Sequence, residues 1–309
     1  MSPRNKANTD ACCQQIAWKD LDLAPIHALI DLAYREDIEG SGLAQKPLKN
    51  GDHTSALLPE SQQIACHVTA RQPMVICGLE LTREVLARYD NTLTLDTQHA
   101  DGDSLPEGAI IASIAGPARS LLSAERPLLN FLQRLSGIAT ATQAYVAALG
   151  DSPTRLLDTR KTTPGFRYLE KYAVACGGGW NHRMGLFDRV MLKDNHIAAF
   201  GDNPLEATKA AVNASRSKNP HLLVEMEVDS IAQISIALEA EVDIILLDNF
   251  SLEELTTAMQ LIGSQAVTEI SGGVTIDSLP QLGPIGHDFI SSGATIHQSP
   301  WLDIGLDWQ

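Results

Sequence analysis

Short apolar runs alternate with amphipathic segments through the second half of the chain. Helix-like segments such as NPLEATKAAVNASRS and SLEELTTAMQLI separate most of these runs. The repetition predicts a parallel sheet, and the number of repeats favours a βα barrel over an open sheet. No dinucleotide-type glycine fingerprint follows any run, which also argues against an open nucleotide-binding sheet. The runs are rich in Val, Ile and Leu, as strands buried on both faces are: TRLLDTR, RVMLKDN, HLLVEMEV, VDIILLDN, VTEISGG and HDFISSG.

The first half of the chain mixes strand-like and helix-like patterns. Residues 1–20 predict a flexible start, and the segment from Pro25 has the i, i+3, i+4, i+7 apolar spacing of an amphipathic helix. IACHVTARQPMVICG alternates as strands do, whereas LELTREVLARY indicates a helix. A long helix is predicted over ERPLLNFLQRLSGIATATQAYVAAL, with Ser123 as its cap and Pro127 in its first turn. We therefore expect an α+β region ahead of the barrel.

Charge is distributed unevenly along the chain. The formal net charge is -15, which argues against broad polyanion or membrane-surface binding because the mean field repels phosphate groups. Residues 155–196 nevertheless contain eight Lys or Arg against four Asp or Glu, a local balance of +4. A cationic pocket in an acidic protein predicts a small, highly charged anion as the ligand.

The cysteines and the N-terminus indicate a cytoplasmic protein. The five cysteines are odd in number and contain no CxxC pair, so neither a disulfide framework nor a zinc site is expected. MSPRNKANTDACCQQ lacks the apolar core of a signal peptide. No apolar run approaches the roughly 18 residues that a membrane-spanning helix needs. We expect reduced thiols and a soluble, cytoplasmic chain.

Charged residues follow the predicted strands at equivalent positions. In a βα barrel the C-terminal strand ends and the following loops build the active site. A solvated loop charge explains any one of these residues equally well, but the whole set favours a site. The set comprises Arg160 and Lys161, Lys193 and Asp194, Glu225 and Glu227, and Asp248 and Asn249.

Glu225 and Glu227 are two residues apart on one predicted strand, so both point to the same side of the sheet. Two like charges facing a barrel interior are costly unless cations or a metal compensate them. Glu227 and Asp248, on successive strands, could hold Mg²⁺ or accept hydrogen bonds from sugar hydroxyls, since hard oxygen ligands suit Mg²⁺.

The last two predicted strands end in small residues. Backbone N–H groups at such glycine turns can approach an anion, and late barrel loops are a recurrent phosphate site. A role in tight turns alone is the alternative explanation of the same residues. His297 follows and could add a donor. The small residues are Ser271, Gly272, Gly273, Ser291, Ser292 and Gly293.

Several motifs together resemble the quinolinate phosphoribosyltransferases, also called carboxylating nicotinate-nucleotide pyrophosphorylases. They are GDHTS, ERPLLNFLQRLSGIAT, LLDTRKTTPGFRYLEKYAV, CGGGWNHRMGLFD, LKDNH, VEMEVD, LLDN, ISGG and LDIGLD, and they extend from about residue 25 to the C-terminus. The resemblance implies an α/β fold with an N-terminal α/β sandwich over 1–125, to which the tail at about 299–309 is a candidate to return. An incomplete βα barrel of about seven strands would occupy 126–298.

The resemblance also implies an activity. Quinolinate and 5-phosphoribosyl-1-pyrophosphate would give nicotinate mononucleotide, pyrophosphate and CO₂ with Mg²⁺, in NAD biosynthesis, in a homodimer with active sites at the interface. Arg160, His182 and Arg183 would hold the quinolinate carboxylates, with Arg126 entering from the partner subunit. A planar dicarboxylate suits paired arginine forks.

The remaining roles concern the phosphoribosyl donor. Lys161 and Lys193 would line the junction between quinolinate and the donor, and Glu227 and Asp248 would face the ribose and Mg²⁺. Transfer through an oxocarbenium-like sugar needs positioning and a neutralised leaving group more than a nucleophilic side chain. The 5-phosphate would be received by Ser271, Gly272, Gly293 and His297.

Two stretches depart from the family pattern. Residues 41–50, SGLAQKPLKN, look inserted ahead of GDHTS. The stretch Thr295–Gln298 reads Thr-Ile-His-Gln where the family usually has Leu-Thr-His-Ser, so hydroxyls of the expected phosphate pocket are displaced or lost.

Three alternatives remain open on sequence. One is a related phosphoribosyltransferase that acts on another ring acid. A second is a Schiff-base aldolase, since Lys161 and Lys193 both end strands, although such a lysine needs a less cationic pocket than this one. The third is a non-catalytic phosphate-binding barrel, whose expected sign would be loss of Glu227 or Asp248. Both are present.

Overall fold

The computed structural model describes residues 9–308, which form two compact units. The barrel unit contains residues 9–15, 144–162 and 179–298, and the sandwich unit contains residues 16–143, 163–178 and 299–308. Within residues 9–308, no helix combines the length and the apolar composition that crossing a membrane requires.

The elements alternate in type along the chain. The strands are β1 (Gln63–Ala70), β2 (Met74–Val75), β3 (Thr94–Asp96), β4 (Ser104–Leu105), β5 (Ile110–Pro117), β6 (Arg155–Leu157), β7 (Val190–Leu192), β8 (Val224–Val228), β9 (Ile244–Asp248), β10 (Val267–Ser271), β11 (Phe289–Ser291) and β12 (Ile304–Trp308). The helices are α1 (Leu23–Glu39), α2 (Leu79–Tyr89), α3 (Ala118–Ala148), α4 (Arg167–Cys176), α5 (Asp194–Ala198), α6 (Pro204–Lys218), α7 (Ile231–Glu239), α8 (Leu252–Ile262), α9 (Leu279–Leu282) and α10 (Ala294–His297).

The sandwich unit is built on an antiparallel sheet with the strand order β12-β1-β5-β3. Strand β12 pairs with β1 from Cys66↔Trp308 to Ala70↔Ile304. The helix predicted from Pro25 is confirmed as α1, which begins at the N-cap Asp22 and buries Ile26 and Ile30.

Helix α3 begins earlier than the sequence predicted. Its first residue is Ala118, so Ser123 lies inside the helix and is not the N-cap. The Ser123 hydroxyl donates to the Arg119 carbonyl one turn back, at 3.0 Å. Pro127 is also internal; a helix accepts an internal proline only where the lost N–H bond and the displaced carbonyl are compensated. The predicted domain boundary at 125/126 falls within this helix.

The barrel unit contains six parallel strands in the order β6-β11-β10-β9-β8-β7. All six apolar runs identified in the sequence form these strands, and an incomplete α/β barrel is confirmed. Beside β6, where a further strand would lie, the chain makes only an isolated bridge, Leu157↔Trp180. The preceding glycines, Gly177–Gly179, disfavour a longer strand because glycine loses the most backbone entropy on ordering.

Alternate strand residues form layers inside the barrel. Ile244, Val267 and Phe289, the first residues of β9, β10 and β11, form a buried apolar cluster that also includes Leu157 and Cys12. Towards the carboxyl ends the inward positions become polar. This change from apolar to polar along the strand direction locates the chemistry at the carboxyl-terminal face, as expected for a βα barrel.

Candidate active site

A cavity of about 420 Å³ lies at the carboxyl ends of the barrel strands. Eight of the residues predicted from the sequence line it together. The cations come from the loops after β6 and β7 and from residues 182–183, whereas the acids end β8 and β9. The eight are Arg160, Lys161, His182, Arg183, Lys193, Glu227, Asp248 and Ser271.

Three further predicted residues flank this cavity. A Cβ atom at Gly293 would lie 2.9 Å from Lys161 Cδ and 3.1 Å from His297 Cδ2, so both side chains can approach the backbone here only because Gly293 lacks a side chain. Gly272 has φ +84°, and a Cβ atom there would lie 2.3 Å from Asn249 Oδ1. Backbone in this left-handed region favours glycine. Both glycines therefore keep the backbone of the late loops close to the site.

Arg126 lies outside the barrel cavity. It is exposed on α3 in the sandwich unit, where it lines a separate cavity of about 410 Å³ with Glu36, Asp37, Arg134 and Phe166 among others. The predicted entry of Arg126 into a partner subunit's active site stays a prediction.

The two guanidinium groups of the cavity are close enough to interact unfavourably. Burial lowers the pKa of Arg183 from its usual value, and the positive charge of Arg160 lowers it further. The Arg160 Nε is buried and has no hydrogen-bond acceptor among the described residues. A buried donor without an acceptor is rare in folded proteins. An anion between the two arginines would satisfy that donor and relieve the repulsion.

His182 lines the same cavity and is buried between two acids. Its Nε2 lies 3.4 Å from Glu269 Oε1 and 3.5 Å from Glu225 Oε2. Burial alone would lower the pKa of His182, but the carboxylates of Glu269 and Glu225 overcome that effect and raise the pKa to about 9. The Arg183 backbone N–H donates to Nδ1 at 2.7 Å, which opposes a second ring proton. Two buried carboxylates outweigh one neutral hydrogen bond because charge interactions are strong at low dielectric.

Cations compensate the two inward glutamates of β8, as the sequence argument required. Arg189 Nη1 donates to Glu225 Oε2 at 3.1 Å, and the pKa of Glu225 is lowered because its two cationic neighbours, His182 and Arg189, outweigh the effect of burial. Glu227 forms an ion pair with Lys193 Nζ. Donor atoms of His182, Glu225 and Glu269 lie within 4.8 Å of one another, but the Arg189 guanidinium already fills one side of this group. We assign it as an ion-pair network.

Two family descriptions match the chain over nearly all of its length beyond residue 51. The N-terminal domain of quinolinate phosphoribosyl transferase matches residues 52–136, and the C-terminal domain matches residues 138–307. The chain belongs to the quinolinate phosphoribosyl transferase family. The resemblance read from the motifs is thereby confirmed.

Individual members of this quinolinate phosphoribosyl transferase family are similar to the chain over most of its length. A Bacillus subtilis protein named "Probable nicotinate-nucleotide pyrophosphorylase (carboxylating)" is 41% identical over 258 residues, 83% of this chain and 88% of the relative. A chloroplastic carboxylating nicotinate-nucleotide pyrophosphorylase of Arabidopsis thaliana is 36% identical over 91% of this chain and 84% of its own length. The solved nicotinate-nucleotide pyrophosphorylase of Francisella tularensis superposes with a TM-score of 0.86 at 35% identity, covering 94% of this chain and 98% of that structure.

The sequence did not predict several polar residues that line this phosphoribosyl transferase cavity or hold its side chains in place, among them Glu269, Arg189 and Asp158. Glu269 lines the cavity from the middle of β10. Arg189 lies just before β7, and Asp158 just after β6 accepts from the His182 backbone N–H at 2.8 Å. One sequence signal could have identified Glu269. It lies two residues before Ser271 on the same predicted strand, so both side chains point to the same face of the sheet.

Proposed function

We propose that the chain transfers the phosphoribosyl group of 5-phosphoribosyl-1-pyrophosphate to quinolinate and decarboxylates the product. The products are nicotinate mononucleotide, pyrophosphate and CO₂, in de novo NAD biosynthesis. One observation carries the proposal: a single cavity joins a cationic side, suited to a planar dicarboxylate, to an acidic side suited to a sugar and a hard metal ion.

Arg160, Arg183 and protonated His182 would bind the quinolinate carboxylates. The buried Arg160 Nε has no acceptor among the described residues, so a carboxylate there gains a hydrogen bond and removes an unsatisfied donor. Fork-shaped guanidinium groups orient the plane of the ring and also neutralise the charge of its carboxylates. Fixing that plane aims the ring nitrogen at the sugar, which supplies much of the rate enhancement in a bimolecular transfer.

Glu227 and Asp248 are the residues that would hold Mg²⁺. Both carboxylates line the cavity, and both are only partly buried, which leaves their oxygens accessible. This donor set fits Mg²⁺, which is usually bound by one or two carboxylates together with waters and substrate phosphates. The bound ion would neutralise charge on the pyrophosphate leaving group.

Lys161 and Lys193 would complete the site between its two sides. Lys193 is held by the Glu227 ion pair, and Lys161 packs close to Gly293. From these places the two ammonium groups can stabilise the departing pyrophosphate and the bound phosphates. Ser271, Gly272, Gly293 and His297 would receive the 5-phosphate through hydroxyl, backbone and ring donors. The electron-poor pyridinium ring formed by the transfer then favours loss of CO₂.

We also propose a homodimer in the cytoplasm, with Arg126 completing the partner's active site. Support comes from the exposure of Arg126 on α3, beside a cavity of its own. An exposed arginine at such a place can act in trans on an anion bound by another subunit.

The activity is tested with purified protein. Pyrophosphate and CO₂ should be released only when quinolinate, 5-phosphoribosyl-1-pyrophosphate and Mg²⁺ are all supplied, and leaving out any one should abolish release. Turnover of nicotinic acid without turnover of quinolinate would refute the substrate assignment. Release without a divalent ion would refute the Mg²⁺ requirement.

A further inference from the structure

The segment at residues 9–15 lies outside both matched family domains, which begin at residue 52. The sequence pattern predicted a flexible start over residues 1–20; residues 1–8 lie outside the described residues, and for 9–15 the prediction is wrong. Cys12 is only 1% exposed and packs in an apolar cluster with Leu157, Ile244, Val267 and Phe289. The segment therefore belongs to the core of the barrel unit.

A backbone bridge joins this segment to the strip at residues 177–181, which precedes the carboxylate-binding residues His182 and Arg183. Asn181 N donates to Gln14 O at 2.6 Å, and Gln14 N donates to Asn181 O at 3.4 Å. Gln15 Nε2 donates to the Gly179 carbonyl at 2.9 Å. Asn181 comes immediately before His182 and Arg183, so the bridge fixes the backbone from which both cavity side chains extend.

A second connection runs through Arg189. Its Nη2 donates to the Cys12 carbonyl, while its Nη1 donates to Glu225 and lies 3.4 Å from His182 Nε2. Arg189 is 5% exposed. One buried guanidinium thus connects the N-terminal segment with the acid that holds His182.

The glycines before Asn181 explain why such support is needed. Gly177, Gly178 and Gly179 precede Trp180 directly, and glycine has the widest backbone freedom of all residues. On its β6 side the strip has the isolated bridge Leu157↔Trp180, and Asp158 accepts from Asn181 Nδ2 at 2.9 Å and from the His182 N–H at 2.8 Å. Without the segment, the backbone that carries His182 and Arg183 would keep these bonds but lose its second bridge, and it would sample more conformations.

We propose that residues 9–15 form a positioning element for the carboxylate-binding side of the active site, with Arg189 as its positioning residue. The inference rests on the proposed function, because the ligand it positions for is the dicarboxylate substrate. Binding of 5-phosphoribosyl-1-pyrophosphate should be spared, since Glu227, Asp248 and Ser271 lie at or next to the carboxyl ends of strands that pair in the sheet, β8 with β9 and β9 with β10.

Two variants release the segment without changing a cavity residue. Cys12→Trp places a large ring where the apolar cluster has no space, and Cys12→Val keeps a small apolar side chain as its control. Gln14→Pro removes the N–H that donates to Asn181, and Gln14→Ala keeps it. Release is measured as faster hydrogen exchange of the Asn181 amide.

We expect released variants to show at least a tenfold higher KM for quinolinate, with KM for 5-phosphoribosyl-1-pyrophosphate within twofold of wild type. Both controls should match wild type. Fast Asn181 exchange with an unchanged quinolinate KM would overturn the inference, and so would equal increases in both KM values. Unchanged exchange in both variants, or unfolding of both, would also overturn it. If wild type itself lacks quinolinate-dependent pyrophosphate release, the proposed function fails instead.

Discussion

His182 shows how a single buried side chain brings charge to the cavity. Its two carboxylate neighbours, Glu225 and Glu269, are fully buried, and Glu269 accepts no hydrogen bond within residues 9–308. The Arg189 guanidinium, whose Nη1 lies 3.4 Å from His182 Nε2, opposes the extra proton, and Asp158 holds the backbone amide. The balance leaves the imidazole protonated at neutral pH. The cavity thus gains a cation that titrates, unlike its arginines.

The raised pKa of His182 predicts a pH-dependent contribution to stability. This contribution is fully present below the ordinary pKa of 6.5 and is lost as pH rises through about 9. The stability difference between wild type and His182→Gln, measured by urea unfolding, should therefore shrink between pH 7 and pH 10, by on the order of 1–3 kcal/mol.

His287 offers a matched control for that experiment. Burial lowers its pKa to about 4, so its ring stays neutral over the same range. The difference between wild type and His287→Gln should stay constant from pH 7 to pH 10. A His182→Gln difference that is equally constant, or that grows with pH, would contradict the protonated state.

Many of the residues that line the cavity could be predicted because the end of an apolar run marks the carboxyl end of a strand in the sequence. Lys193 and Asp248 each follow an apolar run directly, Arg160 follows one after two residues, and a barrel brings such positions together. Arg189 and Asp158 could not be predicted, since they act through backbone atoms and a second layer of side chains. Their partners are distant in sequence and become neighbours only on folding.

Elements were predicted better than their ends. Six apolar runs became six strands because buried parallel strands have a distinctive composition. The predicted start of α3 was wrong because Ser123 and Pro127 are residue types that are typical of a helix N-terminus, whereas Ala118, the observed first residue, is not. A further barrel strand was expected from family resemblance, but the glycine-rich strip at 177–181 makes only isolated bridges.

Close approach between α3 and the segment before β12 explains a glycine of the LSGIAT motif. A Cβ atom at Gly137 would lie 1.9 Å from the Pro300 carbonyl oxygen. Gly137→Ala should therefore destabilise the protein by about 1–3 kcal/mol, despite the better helix propensity of alanine. Thermal or denaturant unfolding measures the change. Ala144→Ser, which adds one atom at an exposed position of α3, should change stability by less than about 0.5 kcal/mol. Equal effects of the two variants would show that the close approach is not the cause.

At the scale of the whole molecule, the proposed shared active site makes a quantitative prediction. Arg126→Ala and Lys161→Ala should each be inactive alone. After subunit exchange, an equal mixture should recover about a quarter of wild-type activity, because half of the dimers are hybrids and each hybrid has one intact site. Pyrophosphate release during mixing, with exchange confirmed by differently tagged subunits, measures the recovery.

The control for that mixture uses two variants on the same side of the cavity. Arg160 and Lys161 belong to one barrel unit, so a mixture of Arg160→Ala and Lys161→Ala should stay inactive however the subunits pair. Recovery in this control, or none with Arg126→Ala, would contradict a site completed in trans.

The placement of β12 also constrains how the chain can fold during synthesis. Arg71 pairs with Asp307, 236 residues later, beside an edge of the sandwich sheet. The barrel likewise needs Cys12, whose carbonyl meets Arg189 at a separation of 177 residues. A ribosome therefore releases early parts of both units long before their partners exist. Such non-local pairing slows folding and leaves sheet edges open meanwhile. The sandwich sheet can therefore be completed only after residues 304–308 have been synthesised.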